Sequence, residues 1–436
     1  MRLDQPILLY GAGREARSTR AFIKARAPDT KVYVTVDSGD ADIPETEVIA
    51  PVDLKAAVAA GRFATIVKSP GVSRYRPIFA QAREAGIAVT SNLNIWGETY
   101  REGRTVIAIT GTKGKSTTAT LVHLMLTESG LDAGLAGNVG LAPLEIADRN
   151  AIVVFELSSY QTADMAFSPD IAAVTNLTPE HTDWHRDVEH YYADKLNLID
   201  RDLPFPVALG AGAKDHPLVL AAVRDKKRLI PPLAPFIADR IATAARRSRL
   251  KGSHNLDNAI LATQLAMKAG ADLEAVVRGI EAFTPLPHRL EEHEIGGKIV
   301  VNDSISTTPE ATKAALNAYE GKRIALIAGG HERQQDYAEL ASLLGPRGVA
   351  VLVCLPVTGD RLATLTYRAA PEIEVLEAAS LDAALRALAD RRDAFDTVIL
   401  SPGAPSYGQL EMPGKVFRNF EERGTAFIRL AETYFG

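Results

Sequence analysis

The 436-residue sequence predicts an α/β protein of three consecutive domains, each built on a mostly parallel sheet flanked by helices. Short apolar runs rich in β-branched residues alternate with helical stretches from residue 7 to residue 400, the pattern of repeated βαβ units. The chain is also too long for one hydrophobic core. Two breaks divide it: residues 96–104, where Gly97 and Gly103 accompany Glu98, Arg101 and Glu102, and the proline-rich turn at residues 283–289. They set expected domains at 1–95, 96–289 and 290–436.

The first domain opens with a strand at residues 7–10, the turn Gly11-Ala12-Gly13 and a helix over 14–25. A second strand, 31–36, ends at Asp37, 24 residues beyond Gly13. That separation suits a dinucleotide-type unit, but the third glycine of the fingerprint is missing, and a tight turn with no ligand explains the residues equally well. Residues 66–72 and 87–91 read as strands ending in small polar residues, including Ser69 and Thr90. Ligands of open α/β sheets gather beyond such ends.

The second domain starts with the most informative stretch. An apolar strand from Val106 runs into Gly111-Thr112-Lys113-Gly114-Lys115-Ser116-Thr117 and then a helix. Backbone N–H groups at a helix start point at anions, and glycines let the chain wrap phosphate oxygens. Lys115 would reach the β- and γ-phosphates and Ser116 would ligate Mg²⁺. Only two residues separate Gly111 from Gly114, where the usual motif has four. A strand over 151–156 ends in Glu156, a carboxylate suited to Mg²⁺ or to orienting water. Another, 171–175, precedes a ligand-rich run from Asn176 to His185 in which His181 could bind metal, although such a histidine is often merely solvated. Lys195 lies on a helical stretch, and by spacing alone it is an ordinary helix lysine. A helical run over 255–269 completes the domain.

The third domain alternates strands at 298–303, 323–328, 349–355 and 397–400 with helices at 309–319 and 381–391, a third doubly wound unit. With 49 Lys+Arg against 54 Asp+Glu, the net charge of −5 offers no footprint for nucleic acid or an anionic membrane. The longest apolar runs are strand-sized, which argues against membrane insertion. Residues 1–5 lack the features of a secretory signal, and the single Cys354 sits in an apolar run as a buried small hydrophobe. These features predict a cytoplasmic protein, and a monomer is expected.

Taken together, Gly111–Thr117, Glu156-Leu157-Ser158-Ser159, Asn176 to His181, Lys195, His254-Asn255, Pro287-His288-Arg289 and Asn302-Asp303-Ser304 resemble the Mur ligase family, ATP-dependent amide-forming enzymes of peptidoglycan precursor synthesis. The resemblance covers essentially the whole chain and is strongest to the glutamate-adding members, through Gly11-Ala12-Gly13, residues 401–406 and residues 419–424. It implies a Rossmann-like first domain, a P-loop ATPase-like central sheet and a Rossmann-like third domain.

It also implies roles. Lys115, Glu156, His181 and Lys195 would be catalytic. Ser116 and Glu156 would serve one Mg²⁺, and His181 with a carbamylated Lys195 a second. ATP would meet Gly111, Thr112, Lys113, Gly114, Lys115, Ser116 and Thr117, with Asn255 and Asn258 at adenine and Arg289 and Asp303 reaching phosphate and ribose when the third domain closes. Arg14, Glu15, Asp37, Ser69 and Thr90 would surround the UDP part of UDP-N-acetylmuramoyl-L-alanine, while Ser159, Gln161 and Asn138 lie towards its reacting end. Thr307, Arg333, Ser406 and Phe420 would hold glutamate.

The departures cluster in that last group. Ile305-Ser306-Thr307-Thr308 stands where ordinary D-glutamate-adding members have Lys-Ala-Thr-Asn, and Arg333 stands near a family lysine. Residues 407–414 are extra. Arginine offers a planar fork where lysine offers a point charge, so the preferred carboxylate geometry differs. Drift that keeps D-glutamate and a change to L-glutamate both fit, and the sequence leans to the second. A folylpolyglutamate-synthase-like ligase would lack residues 1–95, and a non-catalytic nucleotide-binding protein would have no use for Glu156, His181 and Lys195 together.

Overall fold

The computed structural model describes residues 5–37, 41–180, 182–250, 252–284 and 287–436. Its first sheet contains β1 (Ile7–Tyr10), β2 (Val32–Thr35), β3 (Glu47–Val48), β4 (Thr65–Lys68) and β5 (Ala88–Thr90), all parallel, in the order β3-β2-β1-β4-β5. All four residues of β1 are buried, as a central strand covered on both faces requires. The exposed two-residue β3 carries no pattern to read. The chain leaves β1 for β2 on one side and returns to β4 on the other, so the switch point lies between β1 and β4. A crevice opens beyond such strand ends.

The second sheet is also parallel: β6 (Thr105–Thr110), β7 (Ala133–Gly137), β8 (Ile152–Glu156), β9 (Ile171–Asn176) and β10 (Val207–Gly212), ordered β10-β9-β6-β8-β7. β6 is central, with Ile109 opposite Glu156 of β8 and Thr110 opposite Val174 of β9. The phosphate-loop sequence therefore leaves the sheet between two strands that deliver Glu156 and Asn176.

A helix, Asn92–Tyr100, runs through the glycine- and charge-bearing break, its start capped by the Ser91 hydroxyl accepting from the Asn94 N–H at 3.2 Å. Trp96 on this helix is fully buried, edge-on to Phe155 at 4.8 Å, and its indole N–H donates to the Ala147 carbonyl at 2.9 Å. One apolar cluster joins Ile7, Leu9 and Val34 to Val106, Phe155 and Val174. Each such side chain contributes about 1.5–3 kcal/mol on burial, which holds the first two sheets together as one compact unit ending at Phe283.

The second compact unit, Arg249–Ser253 with Thr284–Gly436, contains β11 (Glu291–Ile295), β12 (Lys298–Asn302), β13 (Ile324–Ala328), β14 (Val349–Cys354), β15 (Glu374–Glu377) and β16 (Thr397–Leu400). Their order is β11-β12-β16-β13-β14-β15, parallel except for β11, which pairs antiparallel with β12 at the edge. Three α/β domains on parallel sheets are the predicted fold class. The chain after Ser406 forms a small hairpin of β17 (Leu410–Met412) and β18 (Lys415–Val416). Its Glu411 is buried and accepts from Lys415 and Arg429. Cys354 is buried in β14, and burial pushes its thiol up to about 12, leaving it an inert core side chain. Among the described residues no helix is long and apolar enough to cross a membrane.

Candidate active site

The loop after β6 is held open by contacts to its neighbours. Asn176 accepts from the Thr112 and Lys113 N–H groups at 3.1 and 2.8 Å, and the Thr175 hydroxyl donates to the Lys113 carbonyl at 2.6 Å. Gly111 has φ +142°, and a Cβ there would fall 1.9 Å from Thr175 Oγ1. A Cβ on Gly114 (φ +82°) would meet Asn258 Oδ1 at 2.4 Å. Only glycine fits either position. The helix Lys115–Glu128 then starts without a side-chain cap, so its first N–H groups remain for an anion. Asn258, on the helix Ser253–Lys268, donates to Asn255 at 3.0 Å and brings both predicted adenine contacts beside this loop.

Glu156 is completely buried at the end of β8. One carboxylate oxygen accepts from the Ser116 hydroxyl at 3.1 Å and the other from the Asn138 amide at 3.2 Å. A hydroxyl and a carboxylate in contact are hard oxygen donors of the kind Mg²⁺ prefers, so these residues fit that ion. Lys195 is also buried, with its ammonium donating to the Gly111 carbonyl at 2.7 Å and lying 4.9 Å from the Tyr191 ring centre. Burial, reinforced by Lys115 and opposed by Glu180 and Glu156, holds its pKa well below the usual lysine range. Lys113 pairs with Glu180 at 2.7 Å, and the Lys115 ammonium donates to the Thr112 carbonyl at 2.9 Å. His181 lies outside the described residues.

A cavity of about 340 Å³ opens at the switch point of the first sheet, lined by Arg14, Glu15, Ser69, Asn138 and Gln161 of the predicted substrate set, together with the Gly11 turn. Asp37 and Thr90 are not among its lining residues; Asp37 instead accepts from Tyr10 at 2.7 Å and Arg76 at 2.5 Å. Arg14 donates to the Gly137 carbonyl at 2.7 Å, tying the first sheet's turn to the second sheet's edge. Gln161 donates to Glu15 Oε1 at 2.7 Å, while Glu15 Oε2 is buried without a partner. Burial pushes the Glu15 carboxyl up to about 7.

Ser159, also of the predicted substrate set, is buried and not among the cavity's lining residues; it stands in a chain of contacts that spacing did not reveal. Its Oγ lies 2.9 Å from His185 Nε2, and His185 Nδ1 lies 2.7 Å from Asp194, which also accepts from the Tyr75 hydroxyl at 2.9 Å. His185 is fully buried. Only the reversal between the helices Thr182–His185 and Val188–Leu196 brings His185 to Asp194, which is why the pair is invisible in the linear sequence.

Comparison with known proteins matches residues 109–207 to the Mur ligase middle domain and residues 288–403 to the Mur ligase glutamate ligase domain. A UDP-N-acetylmuramoyl-L-alanine–L-glutamate ligase of Micromonospora is 33% identical over 443 residues, covering 97% of this chain and 95% of that protein. The chain belongs to the Mur ligase family. It is therefore an ATP-dependent amide-bond-forming ligase. A UDP-N-acetylmuramoylalanine–D-glutamate ligase of Rubrobacter xylanophilus is also 33% identical, over 387 residues and 84% of each chain. The fold is shared with a UDP-N-acetylmuramate-alanine ligase of Thermotoga maritima, at a TM-score of 0.61 and 18% identity over 98% of this chain and 99% of that one.

In the third domain of this Mur ligase, Asp303 is buried just beyond β12, accepting from Ser401 at 2.8 Å and from the Leu290 N–H at 3.3 Å. Burial raises its carboxyl to about 6, against the hydrogen bonds from Ser306, Ser401 and the Leu290 N–H and the weaker pull of Arg289. Ser406 is buried, Phe420 and Thr307 are half-buried, and Arg333 is exposed on the loop after β13. That loop meets the Ser406 segment where the His331 N–H donates to the Pro405 carbonyl at 2.9 Å. Arg423, from the motif at residues 419–424, is completely buried and donates to Ser304, Ala404 and Gln409. Neither Arg423 nor Gln409 was among the predicted site residues.

Proposed function

We propose that this protein joins L-glutamate to UDP-N-acetylmuramoyl-L-alanine, with ATP converted to ADP and phosphate. The observation that carries the reading is the convergence on one loop of Lys115, Ser116, Glu156 and the buried Lys195. A carboxylate oxygen of the muramoyl-alanine bonds to the γ-phosphorus as the bond to ADP breaks. The glutamate amine nitrogen then bonds to the acyl carbon, loses a proton, and inorganic phosphate leaves.

Two anions must approach in the first half, and the requirement for positive charge gives Lys115 and the loop N–H groups their role. Ser116 and Glu156 would hold Mg²⁺, which supplies further charge neutralisation when bound. Asn138 keeps Glu156 turned towards Ser116 while lining the substrate cavity, so it sits between the ion's ligands and the reacting end of the substrate. Lys195 is starved of solvation, which favours its uncharged amine; that form can take up carbon dioxide and become an anionic oxygen ligand, with His181 as its companion at a second ion. Arg14, Glu15, Ser69 and Gln161 would hold the UDP-linked substrate, with Asp37 and Thr90 at its outer edge. Asn255, Asn258, Arg289 and Asp303 would complete the ATP site, and Thr307, Arg333, Ser406 and Phe420 the glutamate site. Such a reaction belongs in the cytoplasm, where ATP is supplied.

The altered Ile305 and Arg333 positions support L-glutamate; the Rubrobacter relative supports the ordinary D-glutamate activity as the second reading. Phosphate release by purified protein with UDP-N-acetylmuramoyl-L-alanine, ATP and either enantiomer decides. Preferred turnover of L-glutamate is expected. Preference for the D form refutes the stereochemical assignment, and no release with either refutes the glutamate-ligase reading.

A further inference from the structure

The hairpin after Ser406 has a buried root. Gln409 is 5% exposed, and both ends of its amide are engaged: Nε2 donates to the Gly329 carbonyl at 2.7 Å, and Oε1 accepts from Arg423. Arg423 is buried, and its charge meets neutral oxygens: the Ser304 hydroxyl at 3.0 Å, the Ser304 carbonyl at 2.8 Å, the Ala404 carbonyl at 3.2 Å and the Gln409 amide. Ser304 in turn donates to the Phe420 carbonyl at 2.8 Å, and the Gln409 N–H to the Ser406 carbonyl at 3.1 Å. This one pair of side chains thus ties together the segments carrying Thr307, Arg333, Ser406 and Phe420.

A buried guanidinium with no carboxylate among its hydrogen-bond acceptors is costly, and burial lowers the Arg423 pKa to about 9 against the attraction of Asp303. Its neutral acceptors are therefore not interchangeable, because losing one strands a charged donor in the core. Enantiomers of glutamate carry the same groups and differ only in their placement around one carbon. Selecting between them requires the same contacts held at shifted relative positions. A node fixing those four segments against one another sets that offset.

We propose that Gln409 is the positioning residue through which the hairpin after Ser406 sets the enantiomer selectivity of the glutamate site. The inference rests on the glutamate-ligase reading. It requires Gln409 to bridge, since the Gly329 carbonyl fixes the base of the loop bearing Arg333 and Arg423 fixes the rest. Glu411 of β17, buried and held by Lys415 and Arg429, anchors the strand next to the hairpin root.

The test measures KM for L- and D-glutamate, for ATP and for the UDP-linked substrate in wild type, Gln409→Ala and the volume-conserving Gln409→Glu, together with hydrogen exchange of residues 329–334. Glutamate should keep the acceptor for Arg423 but face the Gly329 carbonyl with a second acceptor. Both variants should lose protection at 329–334, raise KM for the preferred enantiomer about tenfold and narrow the L-to-D ratio by a similar factor, with the other two KM values within about twofold. Unchanged exchange, or an unchanged enantiomer ratio in a folded variant, overturns the proposal. A wild type that turns over neither enantiomer overturns the ligase reading and this inference with it, and the exchange data then show separately whether Gln409 pins the loop.

Discussion

Replacing Glu15 by glutamine should stabilise the protein in a manner that depends on pH. The carboxyl is 8% exposed, one oxygen is satisfied by Gln161 and the other has no partner, while Lys68 and Arg14 offset part of the burial cost. Its pKa rises from 4.5 to about 7. The folded chain therefore holds this proton more tightly than the unfolded chain. The penalty of the charged form is absent below pH 4.5, grows through the interval and is complete above 7. At 1.36 kcal/mol per pH unit, the full effect is about 3 kcal/mol. Glutamine keeps the acceptor for Gln161 and cannot ionise, so Glu15→Gln should match wild type near pH 4 and exceed it by up to about 3 kcal/mol at pH 8. Urea unfolding followed by a probe in the first compact unit measures the difference. Equal stability differences at the two pH values would refute the argument from buried charge.

Lys115→Ala and Lys195→Ala should each lower phosphate release roughly a hundred- to thousandfold, since each removes a preorganised group from the phosphate loop; a steady-state phosphate assay reads this. Gly111→Ala places a methyl 1.9 Å from Thr175 Oγ1 in a left-handed conformation, so the thermal shift produced by ATP in wild type should vanish. Chelation should abolish turnover and Mg²⁺ restore it. In Glu156→Gln the Mg²⁺ concentration for half-maximal rate should rise about tenfold or more, because the carboxylate held by Ser116 and Asn138 becomes neutral.

Strands buried on both faces were legible because their sequences are continuous apolar runs: β1, β6, β8, β13 and β16 fall within a residue or two of expectation. The two-residue β3 and the edge strand β11, with its charged Glu291, Glu292 and Glu294, lack that signature. The helix Asn92–Tyr100 was hidden by Gly97, which sits against Phe167 so closely that a Cβ would lie 2.4 Å from its ring. The phosphate loop was readable because its chemistry is local: two glycines, two lysines and hydroxyls within seven residues. The chain of contacts from Ser159 through His185 to Asp194 was not, since it depends on two turns of the backbone, and Gln409 meets Arg423 only after the hairpin folds back.

The helix Val188–Leu196 carries Asp194 and Lys195 side by side, one reaching His185 and Tyr75, the other the Gly111 carbonyl. Each residue added to a helix turns everything after it by about 100°. An insertion or deletion of a single residue between Val188 and Asp194 would swing both side chains away from their partners, disconnecting the substrate cavity and the phosphate loop in one event. Surface substitutions there can accumulate, but the length of this segment cannot drift.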